Sequence, residues 1–420
     1  MPKIKFVHTA DLHLDTPFKG LTRVDDRLAD KLKDATFKAF ENIVDTCLTE
    51  HVDFLIIAGD TFDSDESSLK AQFFFTGQLG RLHETGIPVY MICGNHDPLP
   101  SWSPFIKLPD NTTRFDDKSV SSVTYTKNGI ALAEIYGISF GKKEIKENLS
   151  LRYNKNSTKI PFSIALLHGT SGKSDKHASY APFTSRDLAD KGFDYWALGH
   201  IHKWEILQKA GPAIAYPGNP QGRDFGETGF RGGLIVELET EKPPTIMFFN
   251  TSDLILDYLT INIEGIEDQE SLLSKINGEI EKISNAYSNR SMILRLILSG
   301  RTAMHTMLKD LAMQAEMVDI ANEQLTDTDP FCRIDRLQVQ TMPIADINKL
   351  ANANDFTGDL LRTIETYQQH PEMQNEMIDN ALAEFKPSQM GRYLNNLTKE
   401  EKMKILEQAK WILINELNKD

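Results

Sequence analysis

Cysteine is scarce in this chain. Its 420 residues carry three, Cys47, Cys93 and Cys332, far apart and in no CxxC pair. That spacing excludes a disulfide framework and a thiolate zinc site, and it predicts reduced, mostly buried thiols. Long apolar runs are missing too. None approaches the roughly 20 residues of a bilayer-spanning helix, so no membrane association is expected. Met1-Pro2-Lys3-Ile4-Lys5-Phe6-Val7 runs straight into a strand-like pattern without an apolar leader, which predicts a cytoplasmic location. Asn-x-Ser/Thr triplets such as Asn111-Thr112-Thr113 are then chance matches. An excess of positive charge is also absent. Lys and Arg number 46 against 60 Asp and Glu, a formal net charge of -14, which excludes a protein that coats nucleic acid by charge alone. Bases outnumber acids only locally, from Lys127 to Lys176. A solvated loop surface and a phosphate-facing patch are equally good readings of that segment.

What the chain does contain is a series of short apolar runs that stop at Asp, His or Asn. Lys3 to Thr9 ends at Asp11-Leu12-His13, and Phe54 to Ala58 ends at Gly59-Asp60-Thr61-Phe62-Asp63. Pro88 to Cys93 ends at Gly94-Asn95-His96-Asp97, Phe162 to Leu167 at His168-Gly169, and Phe193 to Leu198 at Gly199-His200-Ile201-His202. Amphipathic patterns over Asp26 to Glu50 and Ser67 to Thr85 separate the first three runs. A βαβαβ opening of this kind predicts an α/β fold with parallel strands, whose loops gather at one edge. Further on, Ile130 to Phe140 reads as two short strands broken at Gly137, and Lys142 to Ile160 as loop.

One buried histidine is usually a satisfied core residue. Five strand ends carrying only Asp, His and Asn are hard to explain as packing, because each polar group needs a buried partner. Carboxylate, imidazole and amide donors without thiolate suit Mn²⁺, Fe²⁺ or Zn²⁺. Two such ions clamp a phosphate and activate a water, and Asp60 is placed to bridge them. His96, next to Asn95, is the expected proton donor to the leaving oxygen, with Asp97 fixing its ring. Gly169-Thr170-Ser171-Gly172-Lys173-Ser174 ends like a phosphate-binding P-loop, but the required first glycine is Leu167, so no nucleotide site is assigned there.

The character changes near Asn250. Strand patterns at Leu256 to Ile263, Ile293 to Leu298 and Phe331 to Val339, with helices at Gln269 to Ala286 and Ala303 to Val318, predict a small α/β domain. With no His/Asp cluster it is expected to have no chemistry of its own, and homodimerisation and packing are both open as its role. From Ile344 the chain reads as helical. Thr398-Lys399-Glu400-Glu401 fits a capping box, and Leu406, Ala409, Leu413 and Leu417 form one apolar stripe with Trp411 and Ile414 beside it. The expected domains are therefore 1–250, 251–342 and 343–420.

The ordered motifs DxH, GDxxD, GNHD, HG and GHxH make residues 4–249 resemble the calcineurin-like metallophosphoesterases. His8-Thr9-Ala10-Asp11-Leu12-His13-Leu14 and Tyr216-Pro217-Gly218-Asn219-Pro220 further resemble the SbcD-type DNA-repair exonucleases, and within them the YhaO group. The resemblance implies a layered β-sandwich flanked by helices, a capping domain, and a C-terminal helical segment that docks on an SMC-like coiled-coil ATPase. It implies that Asp11, His13, Asp60 and His202 hold one metal, and that Asp60, Asn95, His168 and His200 hold the other. It also implies Mn²⁺ as cofactor, DNA as substrate, and His96 as the residue assisting cleavage. Two positions depart from the pattern: Asp63 stands where many relatives have His, and Asn219 where Ser is usual. The expected activity is that of an Mn²⁺-dependent DNA exo/endonuclease. A phosphodiesterase or phosphatase of small nucleotides and a non-catalytic DNA-end-binding scaffold are the alternatives.

Overall fold

Alternation along the first strands sets the architecture. In β1 (Lys3–Thr9), Ile4 and Phe6 face one core and Val7 faces another. In β2 (Phe54–Ala58), Phe54 and Ile56 join the first core, Leu55 and Ile57 the second. β3 (Val89–Ile92) repeats this with Tyr90 and Ile92 against Val89 and Met91. Both faces are covered, which is why these runs are continuously apolar. The structure, a computed structural model, describes the whole chain except residues 22–25, 64–67, 104–106, 157–158, 173–179, 289, 326–329, 345–349, 371, 374–375, 378–379, 382–397 and 418–420. Ser67, Lys173, Ser174 and Lys176, and much of the expected helical segment 343–420, lie outside the described residues.

β1, β2 and β3 pair in parallel, as the opening pattern predicts, and β4 (Thr112–Arg114), which the sequence reading did not include, pairs in parallel with β3. A second sheet contains β5 (Ser121–Lys127), β6 (Ile130–Gly137), β7 (Phe162–His168), β8 (Tyr195–Gly199), β9 (Glu205–Gln208) and β10 (Ala213–Tyr216), in the order β5-β6-β7-β8-β10-β9. The chain then returns to the first sheet as β11 (Gly232–Glu239) and β12 (Thr245–Asn250), giving the order β12-β11-β1-β2-β3-β4. The inner faces of both sheets meet in one core that includes Phe6, Phe54, Ile135, Ile164 and Tyr195. On the outer face of the first sheet, α1 (Asp26–Thr49) and α2 (Leu69–Glu84) bury Phe40, Ile43, Phe75 and Leu79. The outer face of the second packs Trp196 and Leu198 against Tyr153 and Leu188, the latter from α3 (Ser185–Ala189). The result is the layered α/β sandwich.

Two elements differ from the sequence reading. Ile130 to Gly137 is one strand, paired with the unexpected β5 through a two-residue turn at Asn128-Gly129. Both turn residues have positive φ, 54° and 77°, the type I′ geometry that Asn-Gly favours. The described part of the 142–160 stretch is loop, as read, with one short 3₁₀ turn at Leu149–Arg152, and buried Ile145, Leu149 and Tyr153 anchor it. The expected helix over Ala303 to Val318 breaks into α5 (His305–Leu308) and α6 (Leu311–Gln324).

The remaining strands, β13 (Leu254–Asn262), β14 (Ser291–Arg301) and β15 (Cys332–Met342), form a three-stranded sheet in that order. α4 (Gln269–Ala286) lies between β13 and β14 in the chain. By packing, the chain divides into two units. One comprises Met1–Leu259, Ile280–Arg295 and Asn322–Arg336, the other Thr260–Glu279, Leu296–Ala321 and Leu337–Asp420. The second unit contains α7 (Phe356–Gln369) and α8 (Lys399–Leu417). The capping box forms: Thr398 N donates to Glu401 at 2.7 Å and Glu401 N to Thr398 Oγ1 at 3.2 Å. Trp411, expected beside the apolar stripe, is instead its buried anchor. It packs with Leu361, lies under the Arg301 guanidinium at 3.5 Å, and donates its indole N–H to Glu407. Ala409 and Leu413 are exposed.

Candidate metal centre

The hydrogen-bond ladder between β1 and β2 continues past the strands themselves. Asp11 N donates to Gly59 O, His13 N to Asp60 O and Leu14 N to Thr61 O, all at 3.0–3.1 Å. Along this extension Asp11, His13 and Asp60 take left-handed backbones, with φ of 53°, 45° and 53°, and across the cleft His200 has φ 100°. Such conformations cost non-glycine residues of order 1–3 kcal/mol each, and they gather at functional sites. Glycines make the approach possible. A Cβ on Gly59, itself at φ 96°, would sit 2.5 Å from His168 Nδ1, and one on Gly94 would fall on Asp60 Oδ1.

The side chains converge in two groups around Asp60. Asp11, His13 and His202 present donor atoms within 4.8 Å of one another, and so do Asp60, His168 and His200. Asn95 Oδ1 joins the second group, 3.0 Å from His168 Nε2 and 3.1 Å from His200 Nδ1. Asp60 Oδ2 lies 3.3 Å from His168 Nε2 and 4.0 Å from His13 Nε2, so one carboxylate touches both groups. Its other oxygen accepts the His96 N–H at 2.8 Å.

The neighbours of these rings orient them towards the two groups. His13 Nδ1 faces Asp63 Oδ1 at 3.0 Å, and His202 Nδ1 faces Glu227 Oε1 at 2.5 Å. A carboxylate only accepts, so it favours a proton on the Nδ1 it faces, and in a neutral ring so protonated Nε2 is a lone pair. These two Nε2 atoms face each other at 3.1 Å. His168 repeats the pattern, with Nδ1 against Ala58 O at 2.9 Å and Nε2 turned to the oxygens of Asp60 and Asn95. Donor atoms about 3 Å apart match the edge between adjacent ligands around an ion with bonds of about 2.1 Å once the rings are neutral. The described residues therefore fit two divalent ions, held through nitrogen and oxygen.

Electrostatics prepare the same donors. Burial holds the rings of His13 and His200 down to about 3, neutral and able to ligate. Burial works against the Asp60 anion, but His168 and His13 outweigh it and hold its carboxyl well below the usual range. The same pairing, against burial, lifts His168 above an ordinary imidazole.

Asp11, His13, Asp60, Asn95, His168, His200 and His202 thus meet at one edge. His96 lies beside them with its side chain 43% exposed. Asp97 has a different place from the expected one. It is fully buried, and its carboxylate accepts the Gly94 N–H at 2.8 Å and the Thr61 N–H at 3.0 Å. It ties two ligand loops together and makes no contact with the His96 ring. Asp63 does that instead: His96 Nδ1 is 3.1 Å from its backbone oxygen and 3.4 Å from its Oδ1. Glu227 and Arg223 carried no motif. Glu227 orients His202 and is held in turn by Asn219 Nδ2 at 2.9 Å, while Arg223 Nη1 lies 3.3 Å from Asp63 Oδ1. His8, in β1, is a core residue satisfied by Tyr195 and Leu198. In the basic segment, Lys127, Lys146, Arg152 and Lys155 pair with Asp53, Glu144, Glu147 and Asp194.

Comparison with known proteins agrees with this geometry. Residues 4–204 match the calcineurin-like phosphoesterase family, and residues 257–342 match the middle domain of metallophosphoesterase YhaO. The chain is 34% identical to the uncharacterized metallophosphoesterase YhaO of Bacillus subtilis, over 99% of this chain and 98% of that one. It is 27% identical to the DNA double-strand break repair protein Mre11 of Sulfurisphaera tokodaii, over 72% and 75% of the two chains. To the SbcD component of the nuclease SbcCD of B. subtilis it is 24% identical, over 56% and 66%. Shared sequence along almost the whole chain and a nitrogen–oxygen donor set at the sheet edge place it together: it belongs to the calcineurin-like metallophosphoesterases, in the YhaO group.

Proposed function

We propose that this metal-dependent phosphoesterase is a cytoplasmic nuclease that hydrolyses the phosphodiester bonds of DNA in end processing or repair, with Mn²⁺ as its ion. The observation that carries the reading is the pairing of two donor groups on the Asp60 carboxylate, with the half-exposed His96 ring beside them. Two divalent ions at such a site supply a nucleophile at neutral pH and neutralise charge on the phosphate. The protein's own contribution is positional. Asp60 fixes the spacing of the two groups, and Asp63 and Glu227 orient the rings of His13 and His202. The Asp63 backbone oxygen accepts His96 Nδ1–H; in the imidazolium form of the ring Nε2 carries the second proton, which it hands to the leaving oxygen as the ring becomes neutral. Kinship with the Mre11 and SbcCD proteins favours DNA over small phosphodiesters. Residues 251–342 would then cap the nuclease domain. The SbcCD relative is one component of a nuclease built from more than one chain, and residues 343–420 are the docking segment for an SMC-like ATPase partner in this reading. On α8, Met403, Ile412 and Leu413 are exposed for such a contact.

The test is cleavage of linear DNA with Mn²⁺ and with chelator. We expect metal-dependent cleavage that His96→Ala lowers by about 10²–10⁴-fold while metal binding persists. Turnover of small phosphodiesters without any DNA cleavage would defeat the nuclease reading. DNA binding without turnover under any metal would leave a scaffold. Deletion of residues 398–420 should abolish co-purification with an ATPase and spare cleavage.

A further inference from the structure

Trp204 is 44% exposed, two residues beyond His202. Its ring stacks on Phe248 with centroids 5.2 Å apart and planes 22° from parallel. One ring face is therefore covered by Phe248, and the residue still keeps much of its surface open. Phe248 itself packs against the core between the sheets, so the stack sits at the mouth of the sandwich.

Register places that mouth at the metal edge. Phe248 pairs with Leu234, and Leu234 pairs with His8, three residues before Asp11. Two strand spacings, about 10 Å, separate β12 from β1. The segment that carries Trp204 is also held firmly. His202 O accepts Arg231 Nη1–H at 2.6 Å and the Asn219 N–H at 3.2 Å. A Cβ on Gly218 would lie 2.8 Å from Trp204 N, so no side chain fits between the two loops. The backbone that delivers His202 to the metals thus delivers a fixed indole plane to the rim, with Lys203 exposed between them.

An open aromatic face beside a phosphodiester site suits an unpaired base. Every base has a π-face, and stacking needs no particular sequence. Inside a duplex each base keeps both faces against its stacked neighbours and cannot offer one to the ring. We infer that Trp204 is a stacking platform for an unpaired nucleobase next to the scissile phosphate, which directs the site to single-stranded or frayed DNA ends. This rests on the DNA-hydrolase reading above. The covering of the core by Trp204 is a separate, structural role that any large apolar side chain would fill.

The test is binding of fluorescein-labelled oligothymidylate to the full chain in chelator, read by anisotropy, with Trp204→Leu and Trp204→Phe. Leucine keeps the core covered without a π-face, and phenylalanine keeps the face. We expect Leu to weaken binding about tenfold and Phe by less than about threefold. On a strand of abasic sugar-phosphate, wild type and Trp204→Leu should bind alike. Wild-type affinity in Trp204→Leu, or equal losses in both variants, would overturn the platform and leave the nuclease reading standing. If the wild type bound neither oligothymidylate nor duplex, the DNA-hydrolase reading itself would fail.

Discussion

Asp63 Oδ1 stands 3.0 Å from His13 Nδ1, on the side of the ring opposite His202. A carboxylate in that place fixes the tautomer of a ligand imidazole and raises its basicity, worth about 10–100-fold in metal affinity. Asp63→Ala should therefore weaken binding of one Mn²⁺ by that factor, measured by isothermal titration calorimetry. Unchanged affinity would confine Asp63 to its contacts with His96 and Arg223.

Glu227 stands to His202 as Asp63 stands to His13, and both rings belong to the group with Asp11. Glu227→Ala should weaken the same ion by a similar factor. The titration should resolve one weakened and one unaltered class of site. Equal weakening of both classes would show that the two groups are not held independently.

Asp60 reaches both groups. Asp60→Asn should lower bound metal from about two ions per chain towards none, whereas His13→Gln should leave about one. Elemental analysis after gel filtration in limiting Mn²⁺ gives the count. Equal losses in the two variants would remove Asp60 from its bridging position.

Metal binding should weaken as pH falls. In the metal-free chain Asp60 and Asp11, against the effect of burial, hold the His168 pKa above that of an ordinary imidazole. The ring must lose that proton to ligate, and the neutral fraction falls about tenfold per pH unit below its pKa. Apparent Mn²⁺ affinity should drop by about that factor per unit from pH 8 to 6, with proton release seen in buffers of different ionisation enthalpy. A flat profile would show that His168 is already neutral.

Gly94→Ala offers a purely steric test. The new methyl would fall on Asp60 Oδ1 and lie 2.8 Å from both Asp60 N and His168 Cε1. Overpacking of this kind costs about 1–3 kcal/mol and should displace Asp60. Both thermal stability and metal content should fall. Retention of two ions would mean that the loop gives way without moving the ligands.

Much of the centre was legible because strand ends are local events. Apolar runs that stop at Gly-Asp or Gly-Asn-His announce both the strand and the residue at its tip, and parallel topology does the gathering. The supporting residues were illegible for the opposite reason. Arg223 lies 160 positions from Asp63, and only the return of β11 beside β1 brings its loop there. Asp97 was misplaced because adjacency in sequence is not adjacency of side chains: next to His96 in the chain, it points inward to the Gly94 and Thr61 amides. The β5–β6 hairpin carried a plain Asn128-Gly129 signal that the polar, weakly alternating β5 obscured. Trp411 shows that a helix's most regular apolar stripe need not be its buried one, since Leu361 and Arg301 decide which face is covered.

Asp11, His13, Asp60 and His200 all hold left-handed backbones. At about 1–3 kcal/mol each, together they rival the whole net stability of an ordinary domain, about 5–15 kcal/mol. Glycine would relieve most of that load at once. Selection for stability alone would therefore erode these four positions quickly in any descendant that no longer bound metal. A lineage drifting towards a purely architectural role should be recognisable by its backbone first: glycines appearing at these tips while the sandwich beneath stays intact.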